Sequence, residues 1–252
     1  MSKNLLVLSL AVFNASLYAE ESTDTDTSPL SPLKTEVEFG YQAHSGNSNS
    51  ESLNSRLEGV YTQGRHRHSG EWKFYKLNKN DKEDKKQSTY QVQSDYKLAP
   101  RTYLYANFKG IDSKYSAYFK DYTWSSGLGY QFTYTDDLKL SLELGPGYRH
   151  QKPNLDELDD DDLIFPDNVD EFIFRGHFKG DWKVLPALSL SADLLIVSGK
   201  SNTRFDNEIS ITNAITEDIA LKLSHSRQYL DRVPNDLSNT DTVVSANLLV
   251  KF

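Results

Sequence analysis

The sequence predicts an all-β fold, a 12-stranded antiparallel up-and-down transmembrane β-barrel. Three observations predict it. From Thr35 to Phe252, apolar and polar residues alternate in twelve segments, each long for a strand. The connections between segments are alternately short and mostly longer, as in a meander whose two ends differ. The last residues, VVSANLLVKF, alternate toward a closing aromatic, Phe252. Successive side chains of a strand point to opposite faces, so each segment presents one apolar and one charged face.

The segments run over 35–44, 50–62, 67–77, 88–98, 101–111, 121–134, 138–150, 170–184, 187–198, 203–215, 217–228 and 240–252. The second has Leu53, Leu57 and Tyr61 on one phase and Arg56 and Glu58 on the other. The third carries Glu71 and Lys73, and the fourth Asp95 and Lys97. In the sixth, DYTWSSGLGYQFTY, Tyr122, Trp124, Leu128, Tyr130, Phe132 and Tyr134 share the even phase. The seventh sets Leu138, Leu140, Leu142 and Leu144 against Lys139 and Glu143. The eighth sets Phe172, Phe174, Phe178 and Trp182 against Arg175, His177, Lys179 and Asp181. The ninth offers Leu188, Leu190, Leu194 and Ile196; the tenth carries Arg204, Asp206 and Glu208 on its charged phase. The twelfth closes with Val244, Leu248, Val250 and Phe252.

Alternation alone does not say whether the apolar face meets a core or lipid. Length does: strands of about eleven to fourteen residues, tilted by about 40°, rise roughly 28–35 Å and cover an apolar band of about 25 Å. Aromatic placement agrees. In a meander, Tyr41, Tyr90, Tyr122, Trp124, Tyr148, Phe172 and Tyr229 fall at the long-loop end. Tyr61, Tyr96, Tyr130, Tyr134, Trp182 and Phe252 fall at the short-turn end, which gives two interfacial girdles. Twelve long strands also need closure, because an open edge in hydrocarbon has no water to bond. The mean hydropathy of −0.62 reflects alternation and does not argue against the membrane.

Residues 1–19 have the layout of a signal peptide: Lys3, an apolar run from Leu5 to Phe13, and Ala19 before Glu20. Residues 20–34 read as a flexible periplasmic lead-in rich in Ser, Thr, Asp and Pro, and residues 35–252 as the barrel. The chain carries 28 basic and 36 acidic groups and no cysteine. Loss of the leader removes only Lys3, so the acidic excess grows; nucleic acid is not an expected partner. The expected partners are outer-membrane lipids and lipopolysaccharide, with the barrel-assembly machinery engaging the strand that ends in Phe252.

The stretches EFGYQAHSGNSNSESLNSRLEG (38–59) and DYTWSSGLGYQF (121–132) resemble the salt-induced outer-membrane protein family of Gram-negative bacteria. The resemblance spans most of residues 35–252. It implies an outer-membrane barrel and induction by salt, and it supplies no catalytic residues.

Chemistry has few footholds. Of the six histidines, His225 lies on the lipid phase but its neighbour Ser226 faces the other way, so no activated nucleophile is evident. No catalytic residue and no cofactor are assigned. Asp159, Asp160, Asp161 and Asp162 sit in an acidic stretch that offers oxygen ligands for weak Ca²⁺ or Mg²⁺ binding, or is a solvated loop; the spacing is not that of an EF-hand. The stretch 76–86 reads as a loop of mixed charge.

The inward phase is the informative surface. Arg56, Glu58, Glu71, Lys73, Asp95, Lys139, Glu143, Arg175, Lys179, Arg204 and Glu208 are the candidate lumen residues. They either line a narrow channel for small solutes or ions, or fill a sealed structural barrel that supports the membrane under stress. An outer-membrane enzyme acting on lipid is the third alternative. Gly127, Gly129, Gly145 and Gly147 either leave room in the lumen or lie bare beneath inward tyrosines.

Overall fold

The computed structural model describes residues 32–44, 50–114, 116–157, 167–234 and 237–252. They form a closed barrel in which each strand pairs with its sequence neighbours and β1 pairs with β12. The strands are β1 Leu33–His44, β2 Ser50–Gln63, β3 His66–Lys79, β4 Lys82–Lys97, β5 Thr102–Ser113 and β6 Tyr118–Tyr134. They continue as β7 Leu138–Pro153, β8 Val169–Leu185, β9 Leu188–Ser198, β10 Thr203–Ala214, β11 Ile219–Leu230 and β12 Thr240–Lys251. All pairings are antiparallel. The expected signal peptide, the expected lead-in up to Ser31 and Asp159 to Asp162 lie outside the described residues.

Most strand boundaries differ from the sequence reading by one to three residues, and the largest difference is between β3 and β4. Residues 78–87 are not a loop. β3 and β4 continue to a two-residue turn at Asn80–Asp81, where both residues take left-handed backbone angles (φ 49° and 62°). That geometry matches the twist of a hairpin and suits Asn and Asp. The segment was misread because its outward side carries no apolar row. β6 likewise starts at Tyr118, with a register shift between Tyr118 and Lys120 that turns Tyr118 inward.

The barrel is inside-out relative to a soluble protein. Leu128, Phe132, Phe174, Ile209 and Val244 are among the large apolar side chains exposed on its outer face. Buried side chains are largely polar: Glu38, Asp121, Glu143, Arg149, Arg175 and Arg204 are each under a tenth exposed. Water-like partners therefore line the inside while hydrocarbon suits the outside. The two carboxylates of Asp112 and Asp170 face outward only at the long-loop rim. Asp112 accepts hydrogen bonds from Tyr90 (3.1 Å) and Tyr122 (2.9 Å), and Asp170 from Tyr148 (3.2 Å).

The glycines of β6 and β7 face packed neighbours. The ring of Tyr103 covers Gly129, its cross-strand partner, and Gly127 and Gly145 lie backbone to backbone with the Tyr105 hydroxyl beside Gly145. A methyl group at Gly129 meets the Tyr103 ring. That ring is tethered by its hydroxyl to Glu143 Oε1 at 2.9 Å, so it cannot swing away freely. Gly129→Ala is expected to cost about 1–3 kcal/mol, read as a lowered urea midpoint of tryptophan fluorescence in lipid vesicles. Pairing it with Tyr103→Ala should recover part of that loss; additive losses would sink this account of the contact.

Candidate functional site

The interior has two unlike halves. Along β5 to β8 it is packed. Arg175, 2% exposed, donates from Nη1 to Glu143 Oε2 at 2.8 Å and lies over the Tyr105 ring at 5.0 Å. Glu143 also accepts from Gln93 (2.7 Å) and Tyr103 (2.9 Å). His177 lies between Arg175 and Asp193, with its Nε2 2.8 Å from Asp193 Oδ1. Toward the long-loop end, fully buried Arg149 is held by Glu171, Ser201 and the carbonyl of Asn202.

The other half holds a cavity of ≈ 590 Å³. Its lining runs the height of the barrel. Arg67, Asp181 and Lys251 border it at the short-turn end, and Lys85, Ser113 and Asp241 at the long-loop end. Such a volume in polar walls has room for a chain of waters.

Charged pairs cross the interior. Three successive inward residues of β10 each reach a strand four or five positions round the barrel. Glu208 accepts from Lys73 of β3 at 3.0 Å, Asp206 from Lys109 of β5 at 2.9 Å, and Arg204 donates to Asp121 of β6 at 2.5 Å. Both partners of the first two pairs line the cavity, so those pairs stand in its path. Nearer the long-loop end, Lys85 of β4 pairs with Asp241 of β12. The lysines thus stand on β3 to β5 and most of their carboxylates on β10 and β12. At mid-height a second cluster ties Arg56 to Glu38 (2.5 Å), Glu58 and Glu71 (2.5 Å).

Of the expected lumen residues, Arg56, Glu58, Glu71, Lys73, Lys179 and Glu208 border the cavity. Glu143, Arg175 and Arg204 are buried in packed contacts instead. Asp95 accepts from Gln93 at 2.9 Å, away from the cavity lining. Lys139 is exposed at the short-turn rim, its ammonium 5.2 Å from the Tyr134 ring centre. Glu38, Lys109, Asp193, Asp206 and Lys222 also line the cavity and were not among the candidates. Their inward parity was readable; that they meet partners across the barrel was not.

Above the lumen a second cavity of ≈ 580 Å³ lies at the long-loop end. Lys85, Gln228 and Asp241 border both spaces. Its far wall is apolar, where Val233 and Leu237 of the β11–β12 connection pack on Ala117, Tyr118 and Leu230. β6 and β11 lie five positions apart, so this connection reaches across the mouth.

The architecture has relatives. The chain is 22% identical over 209 residues to the uncharacterized protein YdiY of Escherichia coli (strain K12), covering 81% of this chain and 76% of that one. An outer membrane channel from Pseudomonas putida F1 superposes with a TM-score of 0.52 at 11% identity, over 92% of this chain and 100% of the channel. The NanC porin gives a TM-score of 0.49 at 12% identity over 86% and 97%. At such identity the likeness to the solved channel is one of fold. The profile of the family described as "Protein of unknown function, DUF481" matches residues 37–252, all of the barrel but the first four residues of β1, and the chain belongs to that family.

Proposed function

We propose that the protein is an outer-membrane barrel that conducts small ions or solutes through a narrow, charge-lined path. The observation that carries this reading is a cavity bordered by residues of both barrel ends. Opposed lysines and carboxylates would select by charge and size and hand an ion from one pair to the next. The long-loop end faces outward in this reading, in contact with lipopolysaccharide, and the strand ending at Phe252 serves assembly. The salt-induced character follows the family resemblance.

A sealed structural barrel is the second reading. It is favoured by the packed half, where Tyr103 and Arg175 fill the space beside Gly129 and Gly145. Catalysis has no support of comparable weight: His150 and His177 bond carboxylates and an arginine among the described residues, and neither holds a hydroxyl nucleophile.

Purified protein in planar bilayers at 1 M KCl should give discrete single-channel steps. A barrel that stays silent at every voltage supports the sealed reading and ends the conducting one.

A further inference from the structure

The charges that cross the lumen come as pairs of opposite sign, one member on each wall. Lys73 of β3 donates to Glu208 of β10 at 3.0 Å, and Lys109 of β5 to Asp206 of β10 at 2.9 Å. Lys85 of β4 pairs with Asp241 of β12. All six residues border the same cavity. The lysines stand on three successive strands, and each carboxylate lies four or five strands away round the barrel. Asp206 and Glu208 are two residues apart on β10, so their chords cross the path at neighbouring levels, roughly 7 Å apart along the strand.

These chords can part. The side chains of Lys73 and Lys85 are each 38% exposed. A lysine head sits on a flexible four-carbon stem that can swing aside. Parting a chord bares charge on both walls. Lys109 is the clearest case, since Asp206 is the one carboxylate it pairs with among the described residues.

What passes decides how that bared charge is met. A monovalent ion pairs with one wall and leaves the other without a partner, which is unfavourable in an interior shielded from bulk water. A neutral solute pairs with neither. A solute that carries both an ammonium and a carboxylate meets both walls at once. Its ammonium takes the lysine's place beside Asp206 or Glu208, and its carboxylate takes the acid's place beside Lys109 or Lys73. One ion pair becomes two, and the net charge of the lumen is unchanged.

We infer that the permeant this lumen favours is a small zwitterion of the free amino acid type, which crosses by exchanging partners with successive chords. The inference names the solute class of the conducting reading above and rests on that reading.

The test compares two isomers of nearly one size, zwitterionic β-alanine and neutral lactamide. The full barrel is placed in vesicles loaded with dextran. The initial swelling rate in each solute is read by light scattering, less the rate of protein-free vesicles. β-Alanine should enter faster by about threefold or more, the advantage that one extra, partly hydrated ion pair supports. Equal rates, or faster lactamide, overturn the inference. Replacing both chords by neutral pairs, Lys73→Met with Glu208→Gln and Lys109→Met with Asp206→Asn, should bring the two rates together while lactamide still enters. A preference that survives this change overturns the role of the chords. A second measurement needs no variant. In dilute KCl, β-alanine should lower the single-channel current of the parent more than lactamide does, because it occupies the pairs along the ion path; equal lowering also overturns the inference. KCl steps separate the two ideas. A barrel that conducts ions without preferring β-alanine keeps the channel and loses the zwitterion, and one silent to ions and closed to both solutes loses both.

Discussion

Replacing Arg175 with alanine lowers the stability of the folded barrel by about 3–5 kcal/mol, the largest effect expected of a single interior substitution. The guanidinium is 2% exposed and donates to Glu143 at 2.8 Å, while its face covers Tyr105. Its loss leaves the Glu143 carboxylate buried with only the neutral donors Gln93 and Tyr103 and the ring of His177 beside it. A lone buried charge is far more costly than a paired one is stabilising. Arg175→Met with Glu143→Leu should therefore recover most of the loss, because an apolar pair of similar bulk needs no partners. The measurement is urea unfolding in lipid vesicles, with a band shift on unheated gels as the second reading. A single variant within about 1 kcal/mol of the parent would mean that water reaches this half of the interior.

The second large effect is on permeation. Lys73 and Lys109 put positive charge on the β3–β5 wall, opposite Glu208 and Asp206. Lys73→Ala with Lys109→Ala removes both chords from the path. The carboxylates keep partial company, since Lys222 lies 3.3 Å from Glu208 and Arg204 3.2 Å from Asp206. The lumen then carries an excess of two negative charges relative to the parent. Single-channel conductance should rise, and the reversal potential in a KCl gradient should shift in the cation-selective direction. The shift should be pronounced near 0.1 M salt and faint near 1 M, where the Debye length falls from about 10 Å to about 3 Å. Asp206→Asn with Glu208→Gln should move the reversal potential the other way. Unchanged selectivity in both variants would mean that ions pass elsewhere.

The period-two pattern made the fold legible almost in full. Each strand has a phase, and the phase says which side chains face out of the barrel. It located Arg56, Glu71, Lys73 and Glu208 on the inner face without any knowledge of their partners. It could not say which inward residues pack and which border water. That division depends on contacts such as Lys109 with Asp206 and Arg204 with Asp121, between strands remote in sequence. It failed at Lys82–Gln87 for a different reason. There the hairpin rises past the apolar band, no alternating row is required, and a strand can be written entirely in charged and polar residues. The Asp95 and Lys139 candidates show the limit of parity: both are on the inward phase, yet neither borders the cavity.

The fan of pairs that spreads from β10 also has a consequence for the order of events in assembly. Hairpins between sequence neighbours can form early, because their closing loops are short. Arg204, Asp206 and Glu208 find their partners only when strands four or five positions away have been brought round by closure. Until then these groups remain hydrated on one face of a curved sheet. The crossing pairs of this barrel are therefore made last and together, and the step that joins β1 to β12 is also the step that dries Arg204.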